Sequence, residues 1–438
     1  MNKPRAFKTC LSLLLVLALT EFALLAADPV VERRSLLNGL QIFAIPWGGS
    51  NRVEMKLLVK VGSAFDPVGK FGLVDILAEL LSTGTETRPS EVLKRELAVL
   101  GVELDWNVTP DSTTFHLSGP PQQTRYMLEV LGQVVRRPSW SDADFQRLRS
   151  ARAARLRDQA EQAVHRAESS FLKAVYGATS YGHLPLGPSA EELEKVTLVD
   201  LRSFFKRYFV PNNAFLVLSG PLQMKQVLAG ISPHFGPWTM GEAVTQSFRP
   251  PEAVANSRSV EAGKGPSLVV LGGPGTSRVS EDSAAVRVLE QILKDRLSSL
   301  AAEFPGRTLE TQFSLPRRLG HVSIRAGGLD ASDTGRALQK IGEVVAQLPD
   351  SIGQADLDRA RLLLRSERES ASADQRKYLD AVLEGEMLEL GATARSLFLS
   401  QLDALVVEDV RKAASKYLAA PKLVLAAAGD EAFVKALN

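Results

Sequence analysis

The strongest constraint on this chain is that it says one thing twice. "VDLRSFFKRYFVPNNAFLVLSGP" (Val199–Pro221) returns as "EDVRKAASKYLAAPKLVLAAAGD" (Glu408–Asp430). Asp200 matches Asp409, Arg202 matches Arg411, Arg207 matches Lys416, Tyr208 matches Tyr417 and Gly220 matches Gly429. The offset is 209 residues throughout, apart from a one-residue slip at the prolines. Each copy reads as a helix with apolar residues at helical spacing, a proline break, and a short apolar strand closed by glycine. A period this long is not that of a solenoid. It indicates a duplicated domain, and a chain of 438 residues is long enough for two cores.

The first unit is expected over residues 33–246 and the second over 266–438, joined by a linker at 247–265 that is rich in Pro, Ser and Gly. In the first unit, "LQIFAIPW", "RVEMKLLVKVGS", "VELDWNVT" and "TTFHLSG" read as strands, the last two alternating as half-buried antiparallel strands do. Helices are expected at 72–81, 89–100, 121–135 and 142–176. The second unit repeats the plan, with strands "SLVVLGG", "TLETQFS" and "HVSIRAG" and helices at 282–302, 331–347 and 354–390. The fold class is α+β, each domain an antiparallel sheet with helices packed on one face.

Residues 1–27 stand apart. Lys3, Arg5 and Lys8 precede the apolar run from Leu11 to Ala27, which reads as a secretory signal peptide and implies export across the inner membrane, to the periplasm. Once it is removed, no stable membrane span is expected. The single cysteine, Cys10, lies inside it, so the mature chain has no thiol for a disulfide, a nucleophile or a metal. Removing the segment takes three of the 52 Lys and Arg and one of the 50 Asp and Glu, leaving 49 of each. A neutral chain argues against nucleic acid as a partner.

Several separated segments carry a family resemblance. "LLNGLQIFAIP" has an Asn-Gly turn before a strand, "VKVGSAFDPVGKFGLVDILAELLSTGT" runs from a strand through Gly-Ser and Asp66 into a helix, and "YGHLPLGPSAEELEKVTLVDLRSFFKRYFVPNNAFLVLSGPL" closes the half. Together with the duplication, these make the chain similar to the M16 metallopeptidases, the family of insulinase, pitrilysin and mitochondrial processing peptidase. The resemblance implies two homologous domains forming a clamshell. It also implies a zinc site on the first helix, built as H-x-x-E-H. Histidines four apart share one helical face and can hold zinc, and the glutamate beside them can take a proton from the bound water. A third ligand, a glutamate, is implied on a helix near residues 150–160.

This sequence lacks that set. Asp75 and Glu79 stand at the histidine positions and Ala78 at the glutamate position. No glutamate lies between Glu129 and Glu161, and the region holds Arg147, Arg149, Arg152, Arg155 and Arg157. Asp75 and Glu79 form an i,i+4 carboxylate pair, a conceivable weak site for a hard cation. The expected arrangement is an ion pair from Asp75 or Glu79 to one of these arginines, replacing the metal's cross-link. The five histidines, His116, His165, His183, His234 and His321, are scattered and offer no substitute. The family's arginine–tyrosine pair in the second domain, which stabilises the tetrahedral intermediate, falls on Ala302 and Leu309, with Arg307 out of register.

The resemblance therefore implies a non-catalytic M16 subunit, with no catalytic residue and no metal of its own. Zinc is expected only in a catalytic M16 partner, and a peptide is a possible substrate of the pair. A stand-alone secreted peptide-binding or scaffold protein is the second expectation, and a peptidase with a displaced zinc site the third.

Overall fold

The computed structural model describes residues 29–177, 179, 181–244 and 257–438. Residues 1–27, read as a signal peptide, and residues 247–256 of the expected linker lie outside the described residues. The first half comprises β1 (Glu32–Ser35), β2 (Gln41–Pro46), β3 (Val53–Val59), α1 (Leu73–Thr83), α2 (Ser90–Leu100), β4 (Glu103–Val108), β5 (Thr113–Gly119), α3 (Thr124–Val134), α4 (Asp142–Ala160), α5 (Ala163–Tyr176), α6 (Ala190–Glu194), α7 (Leu198–Tyr208), β6 (Ala214–Gly220) and α8 (Met224–Phe235). The second comprises β7 (Arg258–Ala262), β8 (Leu268–Pro274), α9 (Ser283–Ala301), β9 (Thr308–Thr311), β10 (His321–Gly327), α10 (Ala331–Ser351), α11 (Gln354–Ala373), α12 (Gln375–Met387), α13 (Ala394–Ala404), α14 (Val407–Tyr417), β11 (Val424–Gly429) and α15 (Glu431–Leu437). No helix among the described residues is long and apolar enough to cross a membrane.

The duplication is visible in the strand order. The first sheet runs β1-β2-β6-β3-β5-β4 and the second β7-β11-β8-β10-β9. Apart from β1, they correspond strand for strand in order, and each is antiparallel except for one parallel pair, β2 with β6 and β7 with β11. Arg258–Ala262, inside the stretch read as linker, is therefore the second half's copy of β2. Its sequence, "RSVEA", is too polar to announce a strand, because it lies at a sheet edge and is only partly covered.

The repeated residues do the same work twice. Asp200 Oδ2 accepts the Thr197 N–H at 2.9 Å and Asp409 Oδ2 accepts the Val406 N–H at 3.0 Å, so each satisfies the N-terminus of its helix. Arg202 reaches the carbonyl of Trp140 at 3.5 Å and Arg411 that of Ile352 at 2.8 Å, tying α7 and α14 to the starts of α4 and α11.

Both long helices expected at 142–176 and 354–390 are broken in two, at Glu161–Gln162 and at Asp374. The break is where the chain changes sides. On the inner face of the first sheet, Val53, Met55 and Leu57 pack under α1, α3 and α4. The opposite face, with Phe43, Ile45, Leu58, Phe215 and Val217, is covered by Tyr378, Leu379 and Leu383 of α12, a helix of the second half. Reciprocally, Leu268, Val270, Val424, Ala426 and Ala428 of the second sheet are covered by Ala163, Ala167, Phe171 and Val175 of α5, a helix of the first half. Helices of each half thus cover one face of its own sheet, and the two halves exchange a helix to cover the other. Between the apolar contacts at the α12 interface sits a polar group. His116 Nε2 lies 2.6 Å from Glu54 Oε2, and Arg376 donates to His116 Nδ1 at 3.1 Å.

Candidate functional site

Helix α1 is fixed at its start by two residues. Gly72 precedes it at φ +88°, and a Cβ there would lie 2.5 Å from the Leu186 carbonyl oxygen. Only glycine fits that conformation so close to the "LPLG" loop. Asp66, fully buried, accepts the N–H groups of Gly72 at 2.7 Å and Val74 at 2.8 Å. Burial pushes its carboxyl up to about 8, against the two N–H bonds that pull it down. Asp66→Ala would leave both N–H groups buried without an acceptor and should cost about 2–3 kcal/mol, read from the denaturant midpoint. Asp66→Asn keeps one acceptor oxygen and should cost less.

Leu73, Ile76, Leu77, Leu80 and Leu81 bury one face of α1 in the first core. Asp75 and Glu79 point the other way, toward α4. In α4 the buried residues Phe145, Leu148, Arg152 and Leu156 fall at helical spacing on one stripe. Arg152 is the only arginine on that stripe, and it is 4% exposed. Its guanidinium pairs with Asp75 Oδ2 and bonds Glu79 Oε2, the latter from Nε at 2.6 Å. Its carbon lies 5.2 Å from the centroid of Trp106 in β4, a cation–π contact on a third side. The other four arginines are engaged elsewhere or stand back. Arg147 pairs with Asp144 at 3.1 Å, Arg149 donates to the Val196 carbonyl at 2.8 Å, Arg157 pairs with Glu194, and Arg155 lines the adjoining cavity.

Burial, reinforced by Arg155, pulls Arg152 down to about 10, which leaves it charged at neutral pH. Burial pushes the Glu79 carboxyl up, while Arg155 and Arg147 pull it down. Asp75 and Glu79 thus flank a guanidinium, while Ala78 is buried in the first core. These donors do not fit zinc: they are carboxylates without imidazole or thiolate, and both are already bound by a fixed cation. Among the described residues, no group of three or more His, Cys, Asp or Glu is placed to hold a metal ion.

Next to Arg152 a cavity of about 860 Å³ opens, lined by the first half except at Pro266. Leu184–Leu186 and Pro266 supply part of its wall, and His165 and Glu168 of α5 face it. Burial lowers the His165 pKa, with Glu168 opposing, and Glu168 is paired with Arg325 of β10. Sequence reading missed Trp106 and His165 as members of this site, because a strand and a later helix bring them in. The stripe Phe145-Leu148-Arg152-Leu156 could have singled out Arg152. The second-domain positions lie apart from the carboxylates. Ala302 follows the end of α9, Leu309 in β9 is 8% exposed within the second core, and Arg307 is paired with Asp330 and Asp333.

A family model described as "Insulinase (Peptidase family M16)" matches residues 48–189, and one described as "Peptidase M16 inactive domain" matches residues 195–364. The chain belongs to the M16 peptidase family. The second model starts before α7 and β6, so its match crosses from one sheet to the other. This M16 chain is 25% identical over 410 residues to the zinc protease PqqE of Helicobacter pylori, covering 89% of this chain and 90% of that protein. It is 25% identical over 232 residues to the mitochondrial cytochrome b-c1 complex subunit 1 of Homo sapiens. That match covers 51% of this chain, which spans only 46% of the human protein. A solved peptidase M16 inactive domain from Pseudomonas fluorescens shares the fold, with a TM-score of 0.82 at 22% identity, over 91% of this chain and 98% of that one.

Proposed function

We propose that this M16 chain is a catalytically inactive subunit that pairs with a zinc-bearing M16 subunit in peptide processing or degradation. The observation that carries the reading is Arg152. A buried guanidinium cross-links Asp75 and Glu79, where the family holds a metal, so the helix pair keeps its geometry without zinc chemistry. On this reading the chain carries no cofactor, the zinc belongs to the partner, and the pair works in the periplasm, which the signal-peptide-like segment at 1–27 supports. The cytochrome b-c1 relative, by its name a subunit of a complex, supports an assembled role. A second reading, a stand-alone peptide-binding or scaffold protein, is favoured by the cavity beside edge strand β4. An extended peptide could pair with that edge without any metal.

The test is to purify the chain alone and with a zinc-bearing M16 subunit from the same cells, then measure bound zinc and peptide hydrolysis. The expected result is no zinc and no cleavage alone, and cleavage in the mixture above that of the partner by itself. Stoichiometric zinc with cleavage by the lone chain would overturn the proposal, and tight peptide binding with no effect of a partner would favour the second reading. The variant Asp75→His/Ala78→Glu/Glu79→His should remain inactive, because the third ligand and the second-domain arginine–tyrosine pair are still absent. Hydrolysis by it would refute that assignment.

A further inference from the structure

Far from Arg152 in sequence, α11, α12, α13 and the chain entering β1 enclose a cavity of about 300 Å³. Its walls are largely apolar, with Val382, Leu388, Leu397 and Phe398 among them. Into this apolar space the fold brings three guanidiniums, Arg33, Arg278 and Arg368, against two carboxylates, Glu384 and Glu386. The carboxylates are already used: Arg33 pairs with Glu386 at 2.5 Å and Arg278 with Glu384 at 2.9 Å. Among the described residues no carboxylate pairs with Arg368, whose guanidinium carbon instead lies 4.8 Å from the Phe398 ring centroid. Burial pulls Arg278 down to about 10, and the nearby charges of Arg287 and Arg368 add to that pull. A cavity with excess positive charge and greasy walls is complementary to an anion with an apolar body.

We propose that this cavity binds a linear monocarboxylate with an apolar tail, a medium-chain fatty acid. Its carboxylate sits on Arg368 beside Arg278, and its tail runs along Val382, Leu388 and Leu397. The volume suits a chain of roughly ten to twelve carbons. An extended peptide is disfavoured because the walls are mainly helical. Their backbone groups are spent within the helices, and the edge strand β1 meets the cavity at Arg33, whose guanidinium is held by Glu386. Val279 and Leu397, both exposed, mark the opening. The proposal is independent of the inactive-subunit reading.

The test is calorimetric titration of the purified chain with dodecanoate below its micellar concentration. Saturable binding at one site is expected. Arg368→Gln should weaken it by roughly tenfold to a hundredfold, the value of a hydrogen-bonded charge. Arg365→Gln, one turn away and paired outside the cavity with Asp403, should bind like the parent. Leu397→Glu sets a carboxylate at the opening and should weaken binding too. Each variant's unfolding midpoint checks that it is folded. The proposal is overturned by absence of saturable binding, by unchanged affinity in Arg368→Gln or Leu397→Glu, or by equal binding of dodecyltrimethylammonium, which keeps the tail and reverses the charge. Tighter binding of an acetylated trileucine carboxylate than of dodecanoate also overturns it, in favour of a peptide C-terminus.

Discussion

Arg152→Ala should destabilise the chain by about 3–5 kcal/mol, because it removes the one cation between two carboxylates, of which Asp75 is 7% exposed. The loss has two parts. The unpaired charges stay out of water, and the guanidinium's contact with Trp106 leaves a gap beside α1. Acid should narrow the deficit. An unpaired buried carboxylate is relieved by taking a proton, so the variant gains relative to the parent as pH falls from 7 toward 4. The cost belongs to breaking the cluster and not to its net worth. Replacing all three residues with apolar ones, as Asp75→Leu/Glu79→Met/Arg152→Leu, should leave stability near that of the parent. The second half supports this: Leu364 holds the place along α11 that Arg152 holds along α4, and it packs in the second core. Urea unfolding of the single and triple variants at pH 7 and pH 4 measures these differences. A single variant within about 1 kcal/mol of the parent at pH 7 would show that Arg152 is a surface-like pair.

Residues 29–244 and 257–438, produced separately, should each fail to fold, whereas produced together they should associate into the native structure. Without α12, the first sheet exposes Phe43, Ile45, Leu58, Phe215 and Val217. At about 1.5–3 kcal/mol for each side chain, their burial amounts to roughly the entire 5–15 kcal/mol stability of a typical domain. The second sheet without α5 is in the same position. Circular dichroism and solubility of each fragment, alone and co-expressed, decide the matter. A cooperative melt from either fragment alone would sink the expectation.

Much of this was legible in the chain. The repeated segment announced two sheets of equal plan, and α1, α9 and most strands lie where periodicity put them. The α-helical spacing of Ala163, Ala167 and Phe171 says that α5 buries a stripe, but spacing cannot say against which sheet. Strands β2 and β6 read as continuous apolar runs because both of their faces are covered, and the second cover comes from the far half of the sequence. Strand β7 was hidden for the opposite reason, since an edge strand needs little apolar surface. At the site, the carboxylates at 75 and 79 could be read directly and an arginine partner was expected. Which arginine depends on a stripe shared with Phe145 and Leu156. Trp106 and His165 depend on tertiary placement alone.

The exchange of α5 and α12 has the geometry of a domain-swapped homodimer whose two copies have been joined end to end. In such a dimer, covering each sheet would depend on protomer concentration. Joined in one polypeptide, the covering helix is always present at a high effective concentration, and assembly becomes a first-order event. The connection between the halves therefore makes the integrity of both sheets indifferent to dilution.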